Sequence, residues 1–143
     1  MSGAETIRAI TENLKTAFCS TGITFSECFA DAKNVPASRL PCGSVTYNGE
    51  SFEDTIGARP PYAEAEFIVR VFLKAGGIGD NASALQGWAH GIREAMTVEA
   101  LNGNALADTK PVSRVTITRV EAETDVMVSV LKFTVRIRYR EGV

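Results

Sequence analysis

The sequence predicts an α+β fold, a two-layer sandwich with two helices on one face of a mostly antiparallel sheet. Three observations lead there. Two segments carry one apolar stripe each at helical spacing, so each helix has a single face to bury. Several other segments alternate apolar and polar side chains at the period of a strand. Neighbouring strand segments can pair as antiparallel hairpins, and helices laid against one face of such a sheet are the economical way to bury all of these surfaces. The expected element order is α-β-β-β-α-β-β.

The first helix is expected over residues 3–20. Ile7, Ile10, Leu14 and Phe18 recur at spacings of three and four. Ser2 is placed to cap the helix, and Gly22 can take the positive φ that stops it. A strand follows over 23–30, where Ile23, Phe25 and Phe29 alternate with polar neighbours, and then a loop in which Pro36 denies any ladder bond. The next strand is expected over 40–47, with an irregular start at Pro41 and Gly43. "NGESFEDTIGARPP" (48–61) reads as a long polar excursion that opens on the turn signal Asn48-Gly49 and ends on Pro60-Pro61.

"YAEAEFIVRVFLK" (62–74) is the clearest strand. Ala65, Phe67, Val69, Val71 and Leu73 share one face; Glu64, Glu66, Ile68, Arg70 and Phe72 share the other. A glycine turn leads into a helix over about 81–98 with the stripe Leu85, Trp88, Ala89, Ile92 and Met96, capped by Asp80 or Asn81. His90 and Glu94 fall on its opposite, solvated side. After the turn-rich "LNGNALADTKP" come strands over 112–120 and 125–140, joined most simply as a hairpin through "EAETD". In the first of them Val115 and Ile117 point inward. In the second, Met127, Leu131, Phe133, Val135, Ile137 and Tyr139 share the inner face, and Val128, Val130, Lys132, Thr134, Arg136, Arg138 and Arg140 the outer one.

The 143 residues suit a single domain (1–143) with an unstapled core. The net charge of −2, from 15 basic and 17 acidic residues, argues against a general nucleic-acid or membrane binder. No apolar run approaches the roughly 20 residues of a membrane span. The charged N-terminal segment lacks a signal peptide's apolar stretch, which leads to the expectation of folding in a reducing cytoplasm. Cys19, Cys28 and Cys42 fit that expectation as small buried hydrophobes, with neither disulfide nor zinc spacing.

A search for chemistry comes back empty. "AGGIGDNAS" has the strand, glycine turn, helix order of a phosphate loop. It lacks the Lys and following hydroxyl of a P-loop and falls short of G-x-G-x-x-G, and Asp80 puts a carboxylate where the anion would sit. Gly76, Gly77 and Gly79 therefore read as a structural or adjustable connection. The lone His90 lies on the solvated helix side, no serine lies in G-x-S-x-G, and the pairs Glu121/Glu123 and Glu53/Asp54 fall in expected turns and loops. No catalytic residue, cofactor or metal is expected.

The C-terminal strand carries the remaining signal. Lys132, Arg136, Arg138 and Arg140 share its outer face. They suit a solvated or guarded sheet face. They also suit an acidic partner surface, or DNA phosphates in a central opening. Val128 and Val130 on the same face, with Ile68 and Phe72 of the other strand, favour burial against another subunit, because helices on one side cannot cover both sides of a sheet.

The whole layout resembles the tail terminator, or tail-completion, proteins of long-tailed bacteriophages and prophages, the minor tail protein U type. The likeness runs from about residue 5 to 140. It comprises the amphipathic first helix, "RLPCGSV" resembling the family's l-P-a-v-v-V, the long polar loop, "AEFIVRVFLK", "NASALQGWAHGIREAM", and the closing pair "VSRVTITRV" and "VMVSVLKFTVRIRYR". The resemblance implies a non-enzymatic virion protein forming a homohexameric ring. Such a ring caps the tail tube at its head-proximal end, ends polymerisation of tube protein and offers the docking surface for the neck or head-completion protein. DNA passes through the ring only as cargo, and no membrane is involved. It further implies that the polar loop orders on assembly, which marks Asn48, Gly49, Phe52, Glu53 and Asp54 as assembly residues, with Phe72, Val128, Val130, Lys132, Arg136, Arg138 and Arg140 as interface or lumen contacts. A neck or head-tail connector subunit would read similarly. A small-molecule-binding domain using Gly76 to Gly79 is the alternative from another class.

Overall fold

Among the described residues, four strands form one antiparallel sheet in the order β1-β2-β4-β3. The computed structural model describes residues 3–19, 42–52, 62–74, 81–124 and 128–141. Its elements are α1 (Gly3–Cys19), β1 (Cys42–Phe52), β2 (Tyr62–Lys74), α2 (Asn81–Ala95), α3 (Val98–Leu101), a 3-10 turn (Asn104–Leu106), β3 (Val112–Thr124) and β4 (Val128–Arg140). The fold is α+β as expected. The expected strand over 23–30, Cys28, Glu53, Asp54 and the glycines at 76, 77 and 79 lie outside the described residues.

One face of the sheet carries the core. Ala65, Phe67, Val69 and Val71 of β2 and Phe133, Val135 and Ile137 of β4 are fully buried there. Ile10 and Leu14 of α1 and Ile92 of α2 reach zero exposure against them, while Ile7, Leu85, Trp88 and Ala89 pack at the margin. Burial of each large side chain contributes roughly 1.5–3 kcal/mol, so the two amphipathic stripes and the two period-two strands hold the layers together.

β1 is longer than its expected 40–47. It runs on to Phe52, so Asn48, Gly49 and Phe52 belong to a strand and not to a loop. Tyr47 lies opposite Phe67 and Glu50 opposite Ala65, which leaves Asn48 and Gly49 together facing the single residue Glu66. Gly49 has φ of +95°, the positive-φ glycine of a β-bulge. The Asn-Gly pair therefore kinks the strand without reversing it.

The second helix is likewise shorter than 81–98. It ends at Ala95, and Thr97 starts α3 as an N-cap, its hydroxyl accepting from the Ala100 N–H at 3.0 Å. At the other end of the chain, β3 continues through 121–124, which were expected to be hairpin turn. β3 contains two bulges. Ser113 is the extra residue between the pairs Val112/Tyr139 and Arg114/Arg138, and Thr118 that between Ile117/Val135 and Arg119/Thr134. At each bulge the hydroxyl returns a hydrogen bond to β4, Ser113 to the Arg138 carbonyl at 3.2 Å and Thr118 to the Thr134 carbonyl at 3.3 Å.

Asparagines tie the helices to the sheet. Buried Asn13 of α1 donates to the carbonyls of Leu101 (2.8 Å) and Gly103 (2.9 Å) and accepts from Asn104 at 3.0 Å. Asn102 pairs with both the N–H and the carbonyl of Val112, at 2.8 and 2.9 Å. Orphan carbonyls at the end of α3 are thereby satisfied, and β3 is started at a fixed place.

Candidate functional site

The face of the sheet turned away from the core divides into two halves. In the first, Cys42, Phe72, Val128 and Val130 form a small buried cluster, with Phe72 only 1% exposed. The sequence suggests burial of these residues against another subunit; in the fold they are buried within the chain itself. These side chains are already out of water within the single chain, so they offer no open surface to a neighbour.

The second half is charged, and the strand register dictates its pattern. Across β2 and β4, Glu64 lies opposite Arg138, Glu66 opposite Arg136 and Arg70 opposite Lys132. Across β4 and β3, Arg138 meets Arg114, Arg136 meets Thr116 and Lys132 meets Glu121. Acid on β2 is thus sandwiched against base on β4. The Arg136 Nε lies 3.5 Å from the Glu66 carboxylate and its Nη1 3.9 Å from Glu64. Arg114 reaches across β4 to Glu64 at 3.2 Å. Asn48, lifted by the bulge, donates to the second Glu66 oxygen at 2.5 Å. The Arg138 guanidinium stacks over the Tyr62 ring, 3.9 Å from its centroid.

The four basic residues expected on one outer face are held in different ways by the fold. Arg136 bridges two carboxylates, and Arg138 lies on an aromatic ring. Arg140 donates to the Thr109 carbonyl at 3.5 Å, with its Nε buried and without a hydrogen-bond partner. Lys132 stays on the face between Arg70 and Glu121. The sequence signal for this neutralisation was the acidic pair Glu64 and Glu66 on the outer face of the middle strand. Its meaning depended on which strand lay alongside.

Beside this lattice, Asn48 to Ser51 of β1, Glu64, Glu66 and Arg136 line an open cleft of about 260 Å³. Glu50 also serves the helix-bearing side. One carboxylate oxygen accepts from the Tyr47 hydroxyl and the other from Tyr139. For Tyr47 the Glu50 hydrogen bond is the largest cause of a phenol pKa pushed up to about 12, because a phenolate would face that carboxylate. Tyr139 is raised further, first by its burial and then by the bond to Glu50. The Tyr47 ring packs edge-on against Phe67, at 6.0 Å and 72°. Sequence reading missed Glu50 because the bulge that aims it was taken for a turn.

Among the described residues, no group of three or more His, Cys, Asp or Glu side chains is arranged to hold a metal ion, and no helix is long and apolar enough to cross a membrane. His90 is exposed on α2, and Cys42 is buried. What this surface can present is alternating charge held in fixed positions.

No family model matches the chain, and no curated protein matches it. Among solved structures, a similar chain comes from the virion of a native gene transfer agent particle. The two align over 93% of this chain and 92% of that one, with 16% identity and a TM-score of 0.49. The similarity is distant.

Proposed function

We propose that this chain is a structural, non-enzymatic virion protein of the tail-completion kind. In this reading, copies form a ring at the head-proximal end of a tail tube, stop addition of tube protein and receive the neck or head-completion protein. The order of elements carries the reading: a stapling helix, two strands flanking a polar excursion, a second helix and a long closing pair. That is the layout of the family the sequence resembles.

The charged face supports the same reading in a second way. A lumen lined with unpaired arginines would hold DNA through counterion release. Interleaved carboxylates, as Glu64 and Glu66 are with Arg136, cancel most of that attraction. Such a surface lets DNA slide past, and it also offers both signs of charge to a neighbouring subunit.

The test is to mix the purified chain with tail tube protein and follow mass by light scattering and tube ends by electron microscopy. Rings on tube ends and arrested elongation are expected. A chain that remains a strict monomer at high concentration and leaves tube growth unchanged overturns the proposal.

A further inference from the structure

β3 has β4 along one side, and no described strand pairs with its other side. An outer strand of this kind presents a row of backbone donors and acceptors to any matching strand. Past the bulge at Thr118, the edge offers the triplet Arg119, Val120 and Glu121. Val120 is among the exposed large hydrophobic residues, at 43%. The Arg119 side chain is 71% exposed, and its Nε lies 2.8 Å from the Glu121 carboxylate. The pairing with Thr134, Phe133 and Lys132 puts Arg119 and Glu121 on the charged face and Val120 on the helix side.

Read backwards, Arg-Val-Glu is Glu-Val-Arg. An antiparallel strand with the same triplet therefore places an acid opposite every base. We propose that β3 is a self-recognition edge, through which two copies of this chain pair antiparallel about a two-fold axis at Val120. Arg119 then faces Glu121 of the second copy, Glu121 faces Arg119 of the second copy, and the two Val120 side chains meet on the helix side. Directly opposed side chains share a face, so these pairs are in reach.

The charges choose the occupant and the register. A parallel copy would set Arg119 on Arg119 and Glu121 on Glu121. Sliding the antiparallel pair by two residues sets Glu121 on Glu121 in one direction and Arg119 on Arg119 in the other. Sliding by one moves every side chain to the wrong face. Among these arrangements only the Val120-centred register avoids like-charge contacts between Arg119 and Glu121, and like-charge contacts are what exclude wrong pairings. The bulge at Thr118 bounds the paired stretch and keeps it short. The contact is isologous and closes at two copies, so it is separate from a ring and does not rest on the tail-completion reading.

Sedimentation velocity over a concentration series tests this with wild type, Arg119→Glu, Glu121→Arg, and an equimolar mixture of the two variants. Circular dichroism checks that all three chains are folded. Wild type is expected to show a reversible two-chain species. Each single variant should lose it, with association weakened by about tenfold or more, since both interchain charge pairs become repulsive. The mixture should recover it as a heterodimer, because a chain with Glu at 119 and 121 complements one with Arg at both. A monomeric wild type, single variants that pair as wild type does, or a mixture that stays monomeric would each overturn the proposal.

Discussion

The two faces of the sheet are built by opposite rules. On the core side, Phe67, Val69, Phe133 and Val135 are sealed by the helices, and shape decides what fits. On the far side, the half around Glu64, Glu66 and Arg136 stays partly in water, and charge register decides what lies beside what. The same alternation along β2 and β4 generates both. Core packing and surface charge can therefore be changed almost independently in this molecule, one parity of residues at a time.

The largest expected effect comes from the sealed side. Phe133→Ala should cost about 3–5 kcal/mol in urea unfolding, from lost transfer energy and the cavity left behind. A value under 1 kcal/mol would mean that the two faces do not differ as described. Asn13→Ala should follow at about 1–3 kcal/mol, because the Leu101 carbonyl at the end of α3 loses its side-chain donor inside the protein, while the Gly103 carbonyl keeps only the Leu106 N–H. Hydrogen exchange should rise locally around residues 101–104.

Gly49→Ala sits between the faces. Open space surrounds the position, with nothing within 4 Å of an added Cβ, so only the φ of +95° resists the change. A cost of about 1–2 kcal/mol is expected by thermal melting. An unchanged melting temperature would sink the bulge assignment. On the charged side, Arg136→Ala should cost less than about 1 kcal/mol in the free chain, because exposed ion pairs contribute little. The same variant should still impair assembly if that face recognises a neighbour.

Glu50 links the faces and gives a pH signature. Both tyrosines that donate to it have folded pKa values raised above the unfolded value of about 10. Their contribution is fully present below pH ~10 and is lost as pH rises through about 12 for Tyr47 and beyond it for Tyr139. Titrating phenolate absorbance in Tyr47→Phe and Tyr139→Phe variants separates the two. Glu50→Gln should lower both transitions by removing the charge that opposes ionisation.

Much of this was legible in one dimension. Ile10, Leu14 and Ile92 sit where helical spacing put them, and Phe67, Val69, Phe133 and Val135 where alternation put them. Three kinds of information were not local. Asn48-Gly49 carries the composition of a tight turn, and only pairing with β2 makes it a bulge. Phe72, Val128 and Val130 point away from the core, as their parity requires, yet are buried within the chain. Arg136 looked like one of a basic row until strand order placed Glu64 and Glu66 beside it. Period-two reasoning names the face of a residue but not the neighbouring strand, and charge chemistry depends on the neighbour.

The β2 and β4 pairing runs without a slip from Tyr62 opposite Arg140 to Lys74 opposite Val128. The pairings of β1 and β3 each slip, at Gly49, Ser113 and Thr118. Mechanically this is a stiff beam, about 40 Å long at the rise of a strand, with compliant margins on both sides. Load along the beam is shared by an unbroken ladder, while each margin can flex at its bulge to follow whatever it abuts. A sheet of that construction could take up small misfits between neighbouring copies at its edges and leave its interior undisturbed.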